Sequence, residues 1–141
     1  MSYLNTLYAR RNRVSNQLHQ TRQQHATASD EVSRLSTAVS NLQSAVSDLR
    51  SSKSKIDKLT IQASSWKGEK ESTFSNRYSS YQSAVNRYSN KADDAKECME
   101  DDLRRAEERR QSLAANISNL QWSINSLDNQ IRWERMSQQK G

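Results

Sequence analysis

The chain has 141 residues, 33% hydrophobic and 27% charged, with two glycines, no proline and a net charge of +6, whereas globular domains usually hold roughly 45–50% apolar residues. That leaves too little apolar material for an enclosed catalytic core, and no stretch reaches the roughly 20 apolar residues of a bilayer span. The opening MSYLNTLYARR lacks the apolar run of a Sec-type signal peptide, and one cysteine (Cys98) with two histidines (His19 and His25) excludes an internal disulfide and a tetrahedral zinc site.

From Leu4 onward, apolar and small residues recur at alternating steps of three and four: Leu4, Leu7, Val14, Leu18, Ala28, Val32, Leu35, Val39, Leu42, Val46, Leu49 and Ile56. Arg11, Thr21, His25 and Lys53 fill the skipped positions in the same register. A sustained 3.5-residue period is the seam of a left-handed coiled coil, and it predicts a first helix over about 3–64. His25 lies on this seam roughly opposite Arg110 and near Glu107, as a polar layer that sets the register.

The period slips at Ser64-Ser65-Trp66-Lys67-Gly68-Glu69. Gly68 is the one glycine inside the chain and can take the left-handed backbone that ends a helix, while serines and early acids suit the start of the next. A turn is expected over about 65–69, then a second helix over about 70–137. Its seam reads Phe74, Tyr78, Tyr81, Val85, Tyr88, Ala92, Ala95, Met99, Ala106, Leu113, Ile117, Leu120, Ile124, Leu127 and Ile131. The three tyrosines are thus assigned to packing, and Cys98, beside Met99, to half-buried packing. The predicted fold is all-α: residues 1–141 form a single long antiparallel two-helix hairpin. Folding about the turn pairs positions whose numbers sum to about 135, such as Leu4 with Ile131. At about 1.5 Å per residue, arms of roughly 60 residues extend about 90 Å, a rod rather than a globule. Two such helices cannot surround their own core, so a partner or a second copy in a homodimer is expected to complete a bundle.

Charge is uneven along the chain. Residues 1–65 hold nine Lys/Arg against four Asp/Glu, and 66–141 hold thirteen against twelve. The excess centres on Arg10, Arg11, Arg13 and Arg22, with no acid before Asp30. The second arm mixes both signs in Arg104-Arg105-Ala106-Glu107-Glu108-Arg109-Arg110, the pattern of a solvated helix face rather than of a nucleic-acid surface. Asp93-Asp94 and Glu100-Asp101-Asp102 lack the glycine turn and ligand spacing of a calcium loop. With no metal cluster, phosphate-cradling loop or nucleophile-base pair, the sequence indicates a non-enzymatic protein with no cofactor.

Trp122 and Trp133 stand apart. At 100° per residue they lie about 200° and 220° from Leu120, facing away from the seam, and Met136 continues that row. Folding brings Tyr3 and Tyr8 to the same end of the hairpin. Two outward tryptophans beside methionine have the character of interface anchors, so Trp122, Trp133, Met136, Tyr3 and Tyr8 form the expected partner surface.

Trp66-Lys67-Gly68 between two long helices, followed by Phe74, resembles the Trp-x-Gly turn of the WXG superfamily of type VII secretion proteins. The long arms and the Ser-Tyr-Leu opening are most similar to its YwqH-like subgroup, which accompanies LXG toxins in Gram-positive bacteria. The resemblance covers nearly the whole chain and implies a helical partner of the toxin's N-terminal region, cytoplasmic or exported through a type VII system. One departure bears on export: the residues four after Tyr78, Tyr81 and Tyr88 are Gln82, Val85 and Ala92, so none forms the Tyr-x-x-x-Asp/Glu signal of many type VII substrates. Either the partner carries the signal or this chain is a cytoplasmic chaperone. The alternatives are a basic coiled coil that binds nucleic acid and a self-associating structural rod.

The turn assignment predicts that Gly68→Val costs about 1–2 kcal/mol, since a β-branched residue resists positive φ. Thermal unfolding followed by circular dichroism measures it; an unchanged melting temperature contradicts a left-handed Gly68.

Overall fold

The computed structural model describes residues 2–58 and 69–140, all of them helical. Helix α1 spans Ser2–Lys58 and helix α2 spans Glu69–Lys140. Trp66, Lys67, Gly68 and the last predicted positions of the first helix lie outside the described residues, while α2 runs three residues past its expected end. The two helices pack against each other as an antiparallel hairpin, and no strand occurs among the described residues. Their packing divides into two compact units, each joining a stretch of α1 to a stretch of α2.

The first unit comprises the residues up to Ser33 and those from Arg104 onward. Leu7 is completely buried there and packs with Leu127 and Ile131, with Leu4, Tyr8 and Val14 closing around them. Leu18, Ala28, Val32, Ala106 and Ile124 are buried as well. Full burial of one such leucine is worth about 1.5–3 kcal/mol, so these few side chains account for much of what holds the unit together.

The second unit is Arg34–Leu103, and fewer of its described apolar side chains are fully buried. Leu35, Val39, Leu42, Leu49 and Ile56 are half-buried along α1, and Val46 is the one fully buried apolar side chain among the unit's described residues. Phe74 and Tyr78 stack at 5.8 Å with their rings 19° apart. The Tyr78 hydroxyl donates to the carbonyl of Ile56, and Gln82 Nε2 donates to Asp57 Oδ1 at 2.9 Å.

The α1 seam is as expected: every one of its predicted positions from Leu4 to Ile56 is buried or half-buried, Arg11, Thr21, His25 and Lys53 included. The α2 seam needs correction over its first half. Tyr81 and Tyr88 are exposed, at 56% and 68%, as are Ala95 and Cys98. Their neighbours Gln82, Ser89 and Lys96 turn inward instead. The reason is helical phase. Alternating steps of four and three carried back from Ile131, through Leu127, Ile124, Leu120, Ile117, Leu113, Arg110, Ala106, Leu103 and Met99, arrive at Lys96, Ala92, Ser89, Val85, Gln82 and Tyr78. A continuous helix keeps one phase, so the strongly apolar end of α2 dictates which residues of the weaker stretch face inward. Choosing the larger apolar residue at each step misplaces Tyr81 and Tyr88 by one position.

Polar pairs between the helices also deviate from the simple pairing rule in a consistent direction. Arg11 meets Asp128, Arg22 meets Gln121, Arg50 meets Asp93, and Asp57 meets Gln82. Each α2 partner lies one or two turns later than the residue directly across. Helical side chains tilt toward their own N-terminus. In an antiparallel pair both tilts displace the contact in the same sense, most for long arginines.

Leu7→Ala is expected to cost about 2–5 kcal/mol, as removal of a fully buried leucine does, whereas Tyr88→Ala should stay within about 0.5 kcal/mol. Urea unfolding followed by far-UV circular dichroism separates them; equal effects would contradict the inward phase of α2.

Candidate functional site

The five residues expected at a partner surface all belong to the unit that contains both chain ends; Trp122 lines one groove there, and Tyr8 and Met136 line another. Trp122 and Trp133 are 72% and 71% exposed on α2, and Tyr3 and Met136 are also exposed. The tryptophans are eleven positions apart, which turns the helix by about 20° beyond three full rotations, so both project to nearly the same side of α2, away from the seam. Tyr8 differs from the other four. It is half-buried against the Leu7, Leu127 and Ile131 cluster, and the Arg135 guanidinium lies 6.0 Å from its ring centroid.

Two open grooves flank the seam here. One, of about 370 Å³, is lined by Arg10, Arg13, Val14 and Gln17 of α1 and by Trp122, Ser123, Ser126 and Leu127 of α2. The other, of about 440 Å³, includes Tyr8, Arg11, Asp128, Arg132, Arg135 and Met136. Ser123 and Ser126 lead from the α2 seam in one direction, Asp128 and Arg132 in the other. Trp122 and Met136 therefore serve opposite flanks.

Arg11, a seam residue, is held by Asp128, with Nε to Oδ1 at 2.5 Å and each side chain about two-fifths exposed. Arg22 donates to Gln121 Oε1 at 2.8 Å. Arg10 and Arg13 are exposed and have no carboxylate partner among the described residues. In the sequence they belong to a basic stretch, Arg10 to Arg22. Their three-residue spacing, one step to the side of seam residues Arg11 and Val14, was the signal that they share a flank.

In the second unit, Arg50 pairs with Asp93 at 3.2 Å, and Lys96 lies 3.8 Å from Glu100 within α2. Among the described residues, no three His, Cys, Asp or Glu side chains come together in a way that could hold a metal ion. No described helix is long and apolar enough to cross a membrane.

The class defined by these features is an all-α two-helix hairpin whose surface offers grooves between paired helices. Within that class the chain belongs to the YwqH-like family, whose model matches residues 9–129. No curated protein and no solved structure matches it.

A double-mutant cycle on Arg11→Ala and Asp128→Ala should return a coupling of about 0.2–1 kcal/mol that shrinks with added salt, because the pair is partly solvated. Thermal denaturation of the four proteins at low and high salt measures it. A coupling unaffected by salt would contradict a solvated ion pair.

Proposed function

We propose that this protein is a non-enzymatic helical partner of type VII secretion, which binds the helical N-terminal region of an LXG-type toxin and supports its stability or export. Family membership and the Trp66-Lys67-Gly68 motif support the pathway. The observation that carries the binding role is the pair Trp122 and Trp133, each more than two-thirds exposed on the α2 face that the seam does not use. A large aromatic left in water gains free energy when a partner covers it, and tryptophan is enriched among the residues that dominate interface energetics. A helical partner laid along α2 would also supply the apolar cover that two helices cannot give each other.

The reading predicts that replacing Trp122 and Trp133 together by serine leaves helicity intact but weakens binding to the N-terminal region of a candidate LXG-type toxin. The loss should be about thirtyfold or greater for each anchor, the two not necessarily adding. Light scattering after size exclusion, with circular dichroism on the same samples, gives both quantities. Unchanged assembly would remove the tryptophans from the interface, and loss of helicity would return them to the core. Raising the salt distinguishes this from a nucleic-acid role, since binding through many phosphate contacts weakens steeply and a mainly apolar helical interface responds far less.

A further inference from the structure

The groove beside Trp122 has a chemical character of its own. Val14 and Leu127 give it an apolar floor, Trp122 one wall, and Arg10 and Arg13 a basic rim, and no acidic residue lines it. α1 carries no acid before Asp30, and the acid that follows this stretch of α2, Asp128, lies on the other flank, where Arg11 engages it. We infer that this groove receives an acidic amphipathic helix of a partner protein, one apolar side chain entering between Trp122 and the Val14-Leu127 floor while carboxylates meet Arg10 and Arg13.

The geometry specifies the partner's sequence pattern. Arg10 and Arg13 lie three residues apart, about 4.5 Å along the axis. A helix running alongside presents carboxylates at that interval when Asp or Glu recurs at i and i+3 or i+4. The arginine fork binds a carboxylate through two parallel N–H donors, which adds orientation as well as attraction. Nucleic acid fits less well. Binding a phosphate chain depends on many cations along a track, whereas this groove has two on one rim and an apolar floor. The inference deepens the proposed function by giving the chemistry of the toxin segment that docks here, and it rests on that reading for the partner's identity alone.

The test uses two probes on the full-length chain. The first is a capped, alanine-based helical peptide with two glutamates three residues apart and one leucine four residues after the first of them, on the adjoining face, together with its copy carrying glutamine for both glutamates. Titration is followed by the indole N–H signals of Trp122 and Trp133 in nitrogen-15 spectra. The glutamate peptide should move Trp122 and leave Trp133 in place. Binding should weaken about fivefold for the glutamine copy and for the Arg10→Gln/Arg13→Gln variant, as expected for two solvent-exposed charge pairs. Equal binding of the two peptides, no shift at Trp122, or tighter binding of an oligothymidine strand at Trp122 would overturn the inference. The second probe is the toxin's N-terminal region. If it binds the native chain and the Arg10→Gln/Arg13→Gln variant equally, the secretion reading stands and the acidic-helix inference falls. If it does not bind at all while the glutamate peptide still docks beside Trp122, the secretion reading falls and the groove's chemistry stands.

Discussion

The constraint on which the rest depends is the continuity of helical phase. Each helix presents one narrow row inward, and because steps of three and four alternate without interruption from Leu4 to Ile56 and from Tyr78 to Ile131, a few strong apolar contacts determine the orientation of every other residue. Leu7, Leu127 and Ile131 hold one part of the seam. Through the phase they impose, Trp122 and Trp133 face outward, and Arg10 and Arg13 share a flank with Trp122. The candidate docking groove thus follows from a register that it takes no part in forming.

The same constraint explains what was legible in the sequence. The α1 seam could be read position by position because its leucines and valines recur often enough to hold the phase across Arg11, Thr21, His25 and Lys53. Early α2 was misread because its largest apolar residues, Tyr81 and Tyr88, stand one position out of phase with the chain that follows. Size and hydrophobicity argue for burial one residue at a time, whereas a rigid helix is oriented as a whole, so Gln82, Ser89 and Lys96 turn inward. The outward position of the tryptophans was legible for the reason that the tyrosines were not: they adjoin the stretch where the phase is strongest.

The division of the expected surface between two grooves was not legible. Helical angles place Trp122, Trp133 and Met136 on one broad face of α2, but a groove is made by two helices, and which α1 side chains stand opposite depends on the tilt of side chains at the seam. Arg10 and Arg13 reach the Trp122 side; Arg11, drawn to Asp128, closes the other. The ion pair therefore engages one of three neighbouring arginines and leaves the two that helical phase sets beside Trp122.

The polar inner row of early α2 has a consequence for how the protein fluctuates. With Gln82, Ser89, Lys96 and Lys53 where a coiled coil ordinarily places leucine, the described residues of the unit Arg34–Leu103 have little apolar burial to lose on opening, while the unit containing Leu7 must expose a cluster. Opening free energy follows buried apolar contact more than helix length. Backbone amides around Ser89 and Val46 should therefore exchange with solvent through excursions that leave those near Ile131 protected, and a continuous pair of helices behaves as two cooperative segments of unequal lifetime.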